Sequence, residues 1–438
     1  MSRTDSQGAL RIALLGCGTV GSSVARRLLD GPEDFAQRIG RPIELVGIAV
    51  RDVDKARPGI PTELLTTDAE GLVADADLVV ELMGGLEPAR ALILRAIGHG
   101  ASVVTANKQL LGADGPSLYE AASAAGVDLQ YEAAVAAAIP LIRPMRESLA
   151  GDHVRRVMGI VNGTTNFILD KMSRTGADLQ DVLAEAQELG YAEADPTADV
   201  EGHDAQAKAA ILASLAFHSR VGTDDVTCEG ISQITSDDIR AVRKMGCELK
   251  LLAICERVVG SDGNPAVSAR VHPTIIPRSH PLATVREAFN AVFVETELAG
   301  DLMFYGQGAG GDPTASAVLG DLVQAARHRV LGGRGAGESA YAALPILPLS
   351  DIRTRYAIRL GVKDEPGVLA FVATVFGESG ISIESMLQGI RRSDDGLAPL
   401  TISTHEATEQ QVNDAVARLR DLNSVGTVAS VLRMEGIE

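Results

Sequence analysis

The sequence predicts an α/β fold in three parts, and three observations lead to that prediction. An apolar stretch near the beginning, ALRIALLG at residues 9–16, runs into a glycine turn and then into a segment with helical periodicity. Further apolar stretches alternate with helical segments, as they do around a parallel sheet. From about residue 354, strand and helix patterns follow one another in the order βαββαβ. A chain of 438 residues has room for about three such parts.

The first part contains the glycine turn GCGTVG. Gly16 permits a tight turn, Gly18 has no side chain to block a pyrophosphate, and Gly21 lets the next helix pack on the strand. The strands IELVGIAV, DLVVELM and SVVTA follow, with helical segments between them. This pattern predicts a Rossmann-type dinucleotide-binding domain, and the alternative is a glycine turn with a structural role alone. The predicted cofactor contacts in the turn are Gly16, Gly18, Thr19, Val20 and Gly21.

The end of the second strand discriminates between NAD and NADP. An acidic residue there would bind the ribose 2′-hydroxyl of NAD, but Val50 is followed by Arg51, with Lys55 and Arg57 close behind. Cations at this place favour a 2′-phosphate, so we predict NADP in preference to NAD. In the alternative reading, Arg51 is a solvated loop residue and Asp52 contacts the ribose of NAD.

Two polar turns follow buried strands and predict further ligand contacts. TANKQLL places Thr105 and Lys108 at the carboxyl end of a strand, which is where open α/β sheets bind ligands. NGTTN, at residues 162–166, offers N–H donors to an anion at the start of a helix. The alternatives are a solvated surface lysine in the first turn, and a purely structural helix cap at Thr164 or Thr165 in the second.

The stretch YAEADPTADVEGHDAQAK, Tyr191–Lys208, carries charges into a helix that reads as buried. Asp204, Lys208, Ile211 and Leu215 share one helical stripe, so two charges lie on the apolar face. This placement predicts a functional site, because an ordinary Asp–Lys surface pair would lie on the polar face.

Later segments predict a third region with its own fold. YGQGAGGDPTASAVLGD reads as a glycine loop followed by a long helix, with Asp312 as N-cap and Pro313 at the first helical position. A Gly- and Pro-rich linker is predicted at residues 331–353. The βαββαβ pattern after it predicts a ferredoxin-like domain over residues 354–438.

Composition argues against several classes of protein. The sequence has 40 Lys and Arg residues against 58 Asp and Glu residues, which gives a net charge of −18, and it has no tryptophan. Because nucleic-acid binding needs a positive surface, we expect no nucleic-acid partner. The four cysteines show no CxxC spacing, which argues against zinc and favours a reducing cytoplasm. The first residues, MSRTDSQG, are polar, and no uninterrupted apolar stretch of about 20 residues occurs. We therefore expect a cytoplasmic protein without a membrane partner.

Seven motifs taken in order resemble those of homoserine dehydrogenases: GCGTVG, VVELMGG, TANKQLL, YEAAV, GIVNGTTNFIL, GYAEADPTADVEGHDAQAKAAILA and YGQGAGGDPTASAVLGD. The resemblance extends from about residue 10 to residue 438. It implies reversible reduction of L-aspartate 4-semialdehyde to L-homoserine by a nicotinamide cofactor, in threonine, isoleucine and methionine biosynthesis. The final region, with its DEPGVL turn, resembles an ACT domain, which implies feedback inhibition by L-threonine.

The resemblance also implies roles for individual residues. Lys208 is implied as the acid/base, with Lys108 beside it and Asp204 one helical turn before it. The implied substrate contacts are Glu193, Asp199 and Asp204. Because a zwitterionic amino acid brings an ammonium and a carboxylate, Glu193 and one of the aspartates can hold the ammonium. Lys108 and the N–H groups of the NGTTN turn, at Gly163 and Thr164, can hold the carboxylate. The loop containing Gly308 is implied to return to the dinucleotide domain and approach the cofactor.

A monovalent cation site, for Na⁺ or K⁺, is implied at Glu132 and the backbone carbonyls near Val135, Ala137 and Ile139. Here the sequence departs from our expectation for the family, because alanines follow Glu132 where we expect a glycine or two. The implied effector contacts in the ACT domain are Asp364, Gly367, Val368 and Leu369.

These expectations give a domain plan. Residues 1–131, completed by about 306–330, bind the dinucleotide; residues 132–305 form an α+β catalytic and dimerisation domain; residues 354–438 form the ACT domain. We expect a homodimer or homotetramer without a fused aspartate kinase. The alternatives are an ACT domain that only dimerises, another ACT-bearing NAD(P)-dependent dehydrogenase with a histidine–carboxylate pair, a semialdehyde dehydrogenase with a nucleophilic cysteine, and a catalytically silent regulator that binds NADP and an amino acid.

Overall fold

The computed structural model describes residues 8–260, 262–337, 340–389 and 396–436, so most of the polar leader lies outside the described residues. The chain divides into two compact units. The first comprises Met1–Val157, Ala207–Asp225 and Asn290–Ala343, and the second comprises Met158–Gln206, Val226–Phe289 and Leu344–Glu438. This division does not test the predicted domain boundaries, which stay predictions.

The strands, in chain order, are β1 (Leu10–Leu15), β2 (Ile43–Ala49), β3 (Leu65–Thr66), β4 (Leu78–Glu81), β5 (Ser102–Thr105), β6 (Leu129–Gln130), β7 (Val154–Ile160), β8 (Thr227–Cys228), β9 (Cys247–Val259), β10 (Pro265–Pro277), β11 (Phe289–Thr296), β12 (Asp301–Gln307), β13 (Arg353–Val362), β14 (Ile383–Gln388), β15 (Ala398–Thr404), β16 (Ala407–Thr408) and β17 (Val425–Met434).

The α-helices are α1 (Thr19–Asp30), α2 (Pro32–Ile39), α3 (Ala69–Ala74), α4 (Ala89–Gly98), α5 (Lys108–Ala125), α6 (Ala133–Ala136), α7 (Gly163–Thr175), α8 (Leu179–Glu188), α9 (Thr197–Val200), α10 (His203–Phe217), α11 (Ser236–Lys244), α12 (Gly311–Val330), α13 (Val368–Glu378) and α14 (Glu409–Arg420). Within the described ranges, no helix combines the length and apolar character that crossing a membrane requires.

The first unit is built on a six-stranded parallel sheet in the order β3-β2-β1-β4-β5-β6. This strand order is that of dinucleotide-binding doubly wound folds, and it confirms the predicted Rossmann-type domain. From β1 the chain adds β2 and β3 on one side, and it then crosses back to add β4, β5 and β6 on the other side of β1. The carboxyl ends of β1 and β4 therefore border the crevice in which such sheets bind ligands.

Helix α12 completes the first unit by packing beside α1. A Cβ atom at Gly311 would lie 3.0 Å from Cγ2 of Thr19, so the two helices approach closely at their first turns. Our prediction of the N-cap of α12 was wrong, because Gly310 is the cap and Asp312 lies inside the first turn. Gly310 has a φ of +119°, a backbone conformation that only glycine adopts without strain, so the cap was decided by the backbone.

The second unit is built on the antiparallel pair β9–β10, to which β17 adds in parallel through Thr274–Arg433 and Ile275–Met434. From β17 the sheet continues through β13, β15 and β14. The order β17-β13-β15-β14, with α13 and α14 between the strands, confirms the predicted ferredoxin-like βαββαβ region. This region is therefore hydrogen-bonded into the same sheet as β10 within the second unit.

Candidate functional site

The glycine turn after β1 has the shape that a pyrophosphate requires. Gly16 has a φ of +97°, and a Cβ atom there would lie 2.8 Å from the carbonyl oxygen of Leu82. A Cβ at Gly21 would lie 2.2 Å from the carbonyl oxygen of Gly16, whereas one at Gly18 would meet nothing within 4 Å. The two tight positions hold the turn against β4 and α1, and the open side at Gly18 leaves room for phosphates at the helix N-terminus. These residues fit the cofactor that the sequence predicts.

The turn after β2 is closed by Asp52. Its Oδ1 accepts hydrogen bonds from the N–H groups of Asp54 (2.9 Å) and Lys55 (3.2 Å), and its carbonyl oxygen accepts from Arg57 Nη1 (3.0 Å). Arg51 is exposed beside this turn. One carboxylate oxygen of Asp52 is therefore occupied within its own turn, while the Arg51 side chain extends into solvent.

The TANKQLL turn is positioned by a buried carboxylate that sequence reasoning missed. Glu81, the last residue of β4, is fully buried, and its Oε2 accepts from the hydroxyl of Thr105 at 2.7 Å. Thr105 in turn accepts from the N–H of Asn107, and Asn107 caps α5 through the N–H of Leu110 (3.2 Å). Lys108 is therefore the first residue of a capped helix at the sheet edge. The signal in the sequence was an acidic residue ending an apolar strand directly before LMGG.

The two lysines lie on helices that pack together within the first unit. Lys108 opens α5, and Gly112, one turn later, has its Cβ position 3.7 Å from the Cα of Ala207. Ala207 immediately precedes Lys208 on α10. A side chain at Gly112 would also lie 2.6 Å from the hydroxyl of Thr223, so only glycine permits this close approach.

Helix α10 confirms the unusual position of its charges. Asp204 is 8% exposed and Lys208 is 7% exposed, and both are as buried as Ile211 and Leu215 on the same stripe. Gly202, immediately before the helix, has a φ of +83° and lies against Cys228 Sγ, which a Cβ would approach to 2.9 Å. Burying ionised groups is unfavourable unless they are hydrogen-bonded or paired, so hydrogen bonds to these groups are essential to the arrangement.

Asn162 donates hydrogen bonds to the carboxylates of Asp199 and Asp204, and sequence reasoning missed this role. Its Nδ2 donates to Asp199 Oδ1 at 2.7 Å and to Asp204 Oδ2 at 2.9 Å. Its Oδ1 accepts from the N–H of Thr165 at 2.9 Å, so Asn162 is the N-cap of α7. The alternative that Thr164 or Thr165 caps this helix was therefore wrong. Asparagine is among the preferred N-caps, and that preference was the available signal.

The start of α7 is anchored on both sides. Thr164 donates its hydroxyl to the carbonyl of Tyr191 at 2.7 Å, which fixes the segment leading to the exposed Glu193. Asn166 Oδ1 accepts from the buried Lys250 at 2.9 Å. Burial lowers the pKa of Lys250 to about 8. The NGTTN turn is thus held rigidly, with Gly163 as the first helical residue.

The segment after Glu132 is strained at an alanine. The Glu132 carboxylate accepts three backbone N–H groups, from Leu141, Ile142 (2.7 Å) and Arg143 (3.0 Å). A cation at this segment would therefore rely on backbone oxygens. Ala137 has a φ of +47° and a ψ of −106°, which is glycine-like geometry on an L-residue. Among the described residues, no cluster of three or more His, Cys, Asp or Glu side chains is arranged to hold a metal ion.

The predicted effector residues follow β13. Gly367 has a φ of +92° and caps α13, and Val368 is the first residue of that helix. Asp364 is exposed, and Leu369 is 41% exposed on the first turn. The four residues therefore lie together at one strand-to-helix turn, with an apolar side chain presented to solvent.

Comparisons with known proteins agree with this geometry. The sequence profile of the homoserine dehydrogenase family matches residues 140–323, that of the homoserine dehydrogenase NAD-binding domain matches 16–132, and that of the ACT domain matches 356–423. A homoserine dehydrogenase from Corynebacterium glutamicum is 56% identical over 98% of this chain and 96% of its own. The chain belongs to the homoserine dehydrogenase family.

Solved structures extend the similarity to the fold. The crystal structure of a homoserine dehydrogenase from Thiobacillus denitrificans matches with a TM-score of 0.91 and 40% identity, covering 98% of both chains. A hyperthermophilic archaeal homoserine dehydrogenase in complex with NADPH matches with a TM-score of 0.61 and 27% identity, covering 73% of this chain and 98% of that one. These matches confirm the expected family and the ACT domain, and they confirm that the enzyme is an NAD(P)-dependent homoserine dehydrogenase. They do not favour the alternative of a catalytically silent regulator.

Asn162 provides a test that separates helix capping from carboxylate positioning. We expect Asn162→Ser to keep α7 capped, because serine caps helices about as well as asparagine, while removing the amide that bridges Asp199 and Asp204. KM for homoserine should rise about tenfold, equivalent to about 1.4 kcal/mol, with KM for the cofactor unchanged. Steady-state kinetics with each substrate varied in turn, together with thermal melting, measures both effects. An unchanged KM for homoserine would contradict the positioning role.

Proposed function

We propose that this dehydrogenase interconverts L-homoserine and L-aspartate 4-semialdehyde with NADP in preference to NAD, in the branch that leads to threonine, isoleucine and methionine. The observation that carries the proposal is the pair of buried charges on α10, Asp204 and Lys208, four residues apart on its apolar face. A ligand that brings both a cation and a reacting oxygen would complement this carboxylate and this ammonium. The cytoplasmic location and the homodimeric or homotetrameric state stay predictions.

The substrate is a zwitterion, and each of its charges has a complementary group. We assign its ammonium to the carboxylates of Asp199 and Asp204, which Asn162 already aligns, and to Glu193. We assign its carboxylate to Lys108 and to the N–H groups of Gly163 and Thr164. Charge-assisted hydrogen bonds of this kind are roughly twice as strong as neutral ones.

Lys208 is the proposed acid/base. The nicotinamide ring, when bound, supplies or accepts the hydride. In the reducing direction, the Lys208 ammonium gives a proton to the aldehyde oxygen as the hydride reaches the carbonyl carbon, so the product is an alcohol and the lysine is left neutral. In the oxidising direction, the neutral amine removes the hydroxyl proton. Lys208 is buried, and Lys108 begins the helix that packs against α10 close to Ala207.

Replacing the acid/base should abolish most of the turnover without affecting cofactor binding. We expect Lys208→Ala to lower kcat by about 10² to 10⁴-fold, the range for loss of a general acid/base. Binding of NADPH, measured by fluorescence titration, should be unchanged. Lys244→Ala, at an exposed position at the end of α11, is the matched control and should be fully active. Near-normal kcat in Lys208→Ala would refute the assignment.

The preference for NADP rests on Arg51. It is exposed beside the ribose-binding strand end, whereas Asp52 uses Oδ1 within its own turn. The archaeal relative described in complex with NADPH supports the same cofactor for this chain.

A substitution at Arg51 tests which dinucleotide the turn selects. We expect Arg51→Ala to raise KM for NADPH about tenfold, because a contact to the 2′-phosphate is lost, and to leave KM for NADH unchanged. The measurement is steady-state reduction of the semialdehyde with each cofactor. Lys244→Ala, outside this turn, is the control and shows whether any loss of positive charge has this effect. An equal rise in both KM values for Arg51→Ala would exclude a role in selecting the 2′-phosphate.

A monovalent cation, Na⁺ or K⁺, is proposed at the segment after Glu132. Its ligands would be the carbonyl oxygens of Glu132, Val135, Ala137 and Ile139. The strained φ of Ala137 supports this assignment, because strain of this kind persists where the surrounding structure and function require it. Ala137 thus adopts a glycine-like conformation in the segment where we had expected a glycine or two.

Threonine is the proposed effector of the ACT domain, with contacts at Asp364, Gly367, Val368 and Leu369. A chain of contacts within the second unit supports control of the substrate carboxylates. Arg433 on β17 donates from Nη1 to Glu229 at 2.7 Å and from Nη2 to Glu409, at the start of α14, at 2.7 Å. Burial lowers the pKa of Arg433, but the ion pairs with Glu409 and Glu229 outweigh it and raise the pKa.

The loop that carries Glu229 packs on the segment preceding Asp204. Cys228 Sγ donates to the carbonyl of Glu201 at 3.3 Å, and the N–H of Ile231 donates to the carbonyl of Val200 at 2.8 Å. A Cβ at Gly230 would lie 2.3 Å from the same Val200 oxygen. Because Arg433 holds Glu229, a shift of β17 would move this loop. The loop would pass the movement to α9 and the first turn of α10.

Threonine titration of full-length variants tests this control. Truncating the ACT domain is a poor test, because β17 pairs with β10 and Glu435 pairs with the buried Arg270 at 2.8 Å. We expect threonine to inhibit the wild type, Asp364→Ala to lose both threonine binding and inhibition, and Glu229→Gln to bind threonine but to be inhibited several-fold less strongly. Calorimetry measures binding, and steady-state rates measure inhibition.

The matched control for Glu229→Gln is Glu378→Gln, which alters an exposed ion pair with Arg418 in the ACT domain. It should be inhibited like the wild type. A wild type insensitive to threonine would leave the ACT domain as a dimerising element, and wild-type inhibition of Glu229→Gln would exclude coupling through Arg433.

A further inference from the structure

Asn290, near the start of β11, has a fully buried amide with no assigned role. The residue is 1% exposed, and neither its Oδ1 nor its Nδ2 has a hydrogen-bond partner among the described residues. Buried side-chain amides are almost always hydrogen-bonded, so an amide with both atoms unpaired requires an explanation. Asn290 belongs to the first unit.

The amide lies directly against the glycine loop that precedes α12. A Cβ atom at Gly308 would fall 2.0 Å from Cγ and Nδ2 of Asn290, so the amide occupies the space that any side chain at Gly308 would need. Three residues later, Gly311 contacts the dinucleotide turn, its Cβ position lying 3.0 Å from Thr19 and 3.3 Å from Ser23 Oγ. Asn290 is therefore close to the loop that adjoins the cofactor turn.

An unpaired buried amide is unfavourable for folding. Leucine has nearly the same shape as asparagine, and it would fill this position without leaving a donor and an acceptor unsatisfied. Local features that reduce stability without a compensating contact are typical of ligand sites, where the missing partner arrives with the ligand. The ligand must offer both an acceptor for Nδ2 and a donor for Oδ1.

We propose that Asn290 binds the carboxamide of the nicotinamide ring. A carboxamide presents one oxygen and one NH₂ group, so it can pair with both amide atoms at once. The hydroxyls of the adjoining ribose also donate and accept, but they are kept in 2′-phospho-ADP-ribose, which therefore distinguishes the two partners. Phosphates offer acceptors only and would leave Oδ1 unpaired. The inference rests on the proposed approach of the Gly308 loop to the cofactor. Its consequence is that Asn290 orients the ring face from which the hydride is exchanged.

The experiment compares wild type with Asn290→Leu in the free and ligand-bound states. For the free protein, we expect the variant to melt about 2 °C or more above the wild type, because the unsatisfied amide is removed. Kd for NADPH, by fluorescence titration, should rise about tenfold. Kd for 2′-phospho-ADP-ribose, which lacks the nicotinamide ring, should not change. Asn264→Leu, on the exposed β9–β10 turn, controls for adding a leucine and should alter neither Kd.

The outcomes distinguish failure of the Asn290 contact from failure of the proposed NADP site. If Asn290→Leu melts lower than the wild type and binds both ligands more weakly, the amide is structural and the proposal is wrong. If its Kd for NADPH is unchanged, the carboxamide contact does not exist. Failure of wild type to bind 2′-phospho-ADP-ribose would instead count against the proposed NADP site. Asn290→Ala, which removes the amide without adding volume, gives the same affinity test if the leucine variant does not fold.

Discussion

The constraint on which the site depends is the burial of opposite charges on one face of α10. Asp204 and Lys208 lie a turn apart and are less than a tenth exposed, although isolated buried charges are strongly unfavourable. The chain offsets this for the carboxylate by aligning Asp199 and Asp204 on the amide of Asn162. These hydrogen bonds hold the two carboxylates side by side. The ammonium of the proposed zwitterionic substrate would complement them, so the proposed binding and the arrangement of the carboxylates are one physical problem.

The parallel sheet explains why residues distant in the sequence lie at one edge, where the cofactor is proposed to bind. The turns after β1, β4 and β5 lie at one edge, because all three strands run in the same direction. Glu81 connects two of these turns, since its carboxylate holds Thr105 while its backbone belongs to β4. The glycines at positions 16 and 21 bring the backbone of α1 close to the sheet. Rigidity at this edge is what keeps the lysine of the TANKQLL turn in place.

Within the second unit, the ACT domain is joined to β10 and α11 through a shared sheet and through ion pairs. Strand β17 hydrogen-bonds to β10, and Arg270, Arg359 and Arg433 each pair with carboxylates across the same junction. A domain attached in this way cannot move as an independent body without breaking buried ion pairs. Such a junction is suited to passing small displacements, because packed elements shift between discrete arrangements.

Periodicity and glycine spacing by themselves determined the Rossmann-type sheet, the βαββαβ region and the buried stripe of α10, because those patterns depend on neighbours along one strand or helix. Motif resemblance added the family. Tertiary structure decided the remainder. Asn162 caps α7 and bridges two aspartates, and Gly310 caps α12. The Glu132 carboxylate accepts backbone N–H groups, and the Asn290 amide is unpaired among the described residues. Apart from the cap of α7, for which the N-cap preference of asparagine was a local signal, these features are contacts between segments distant along the chain or backbone angles imposed by packing, and the local sequence does not determine them.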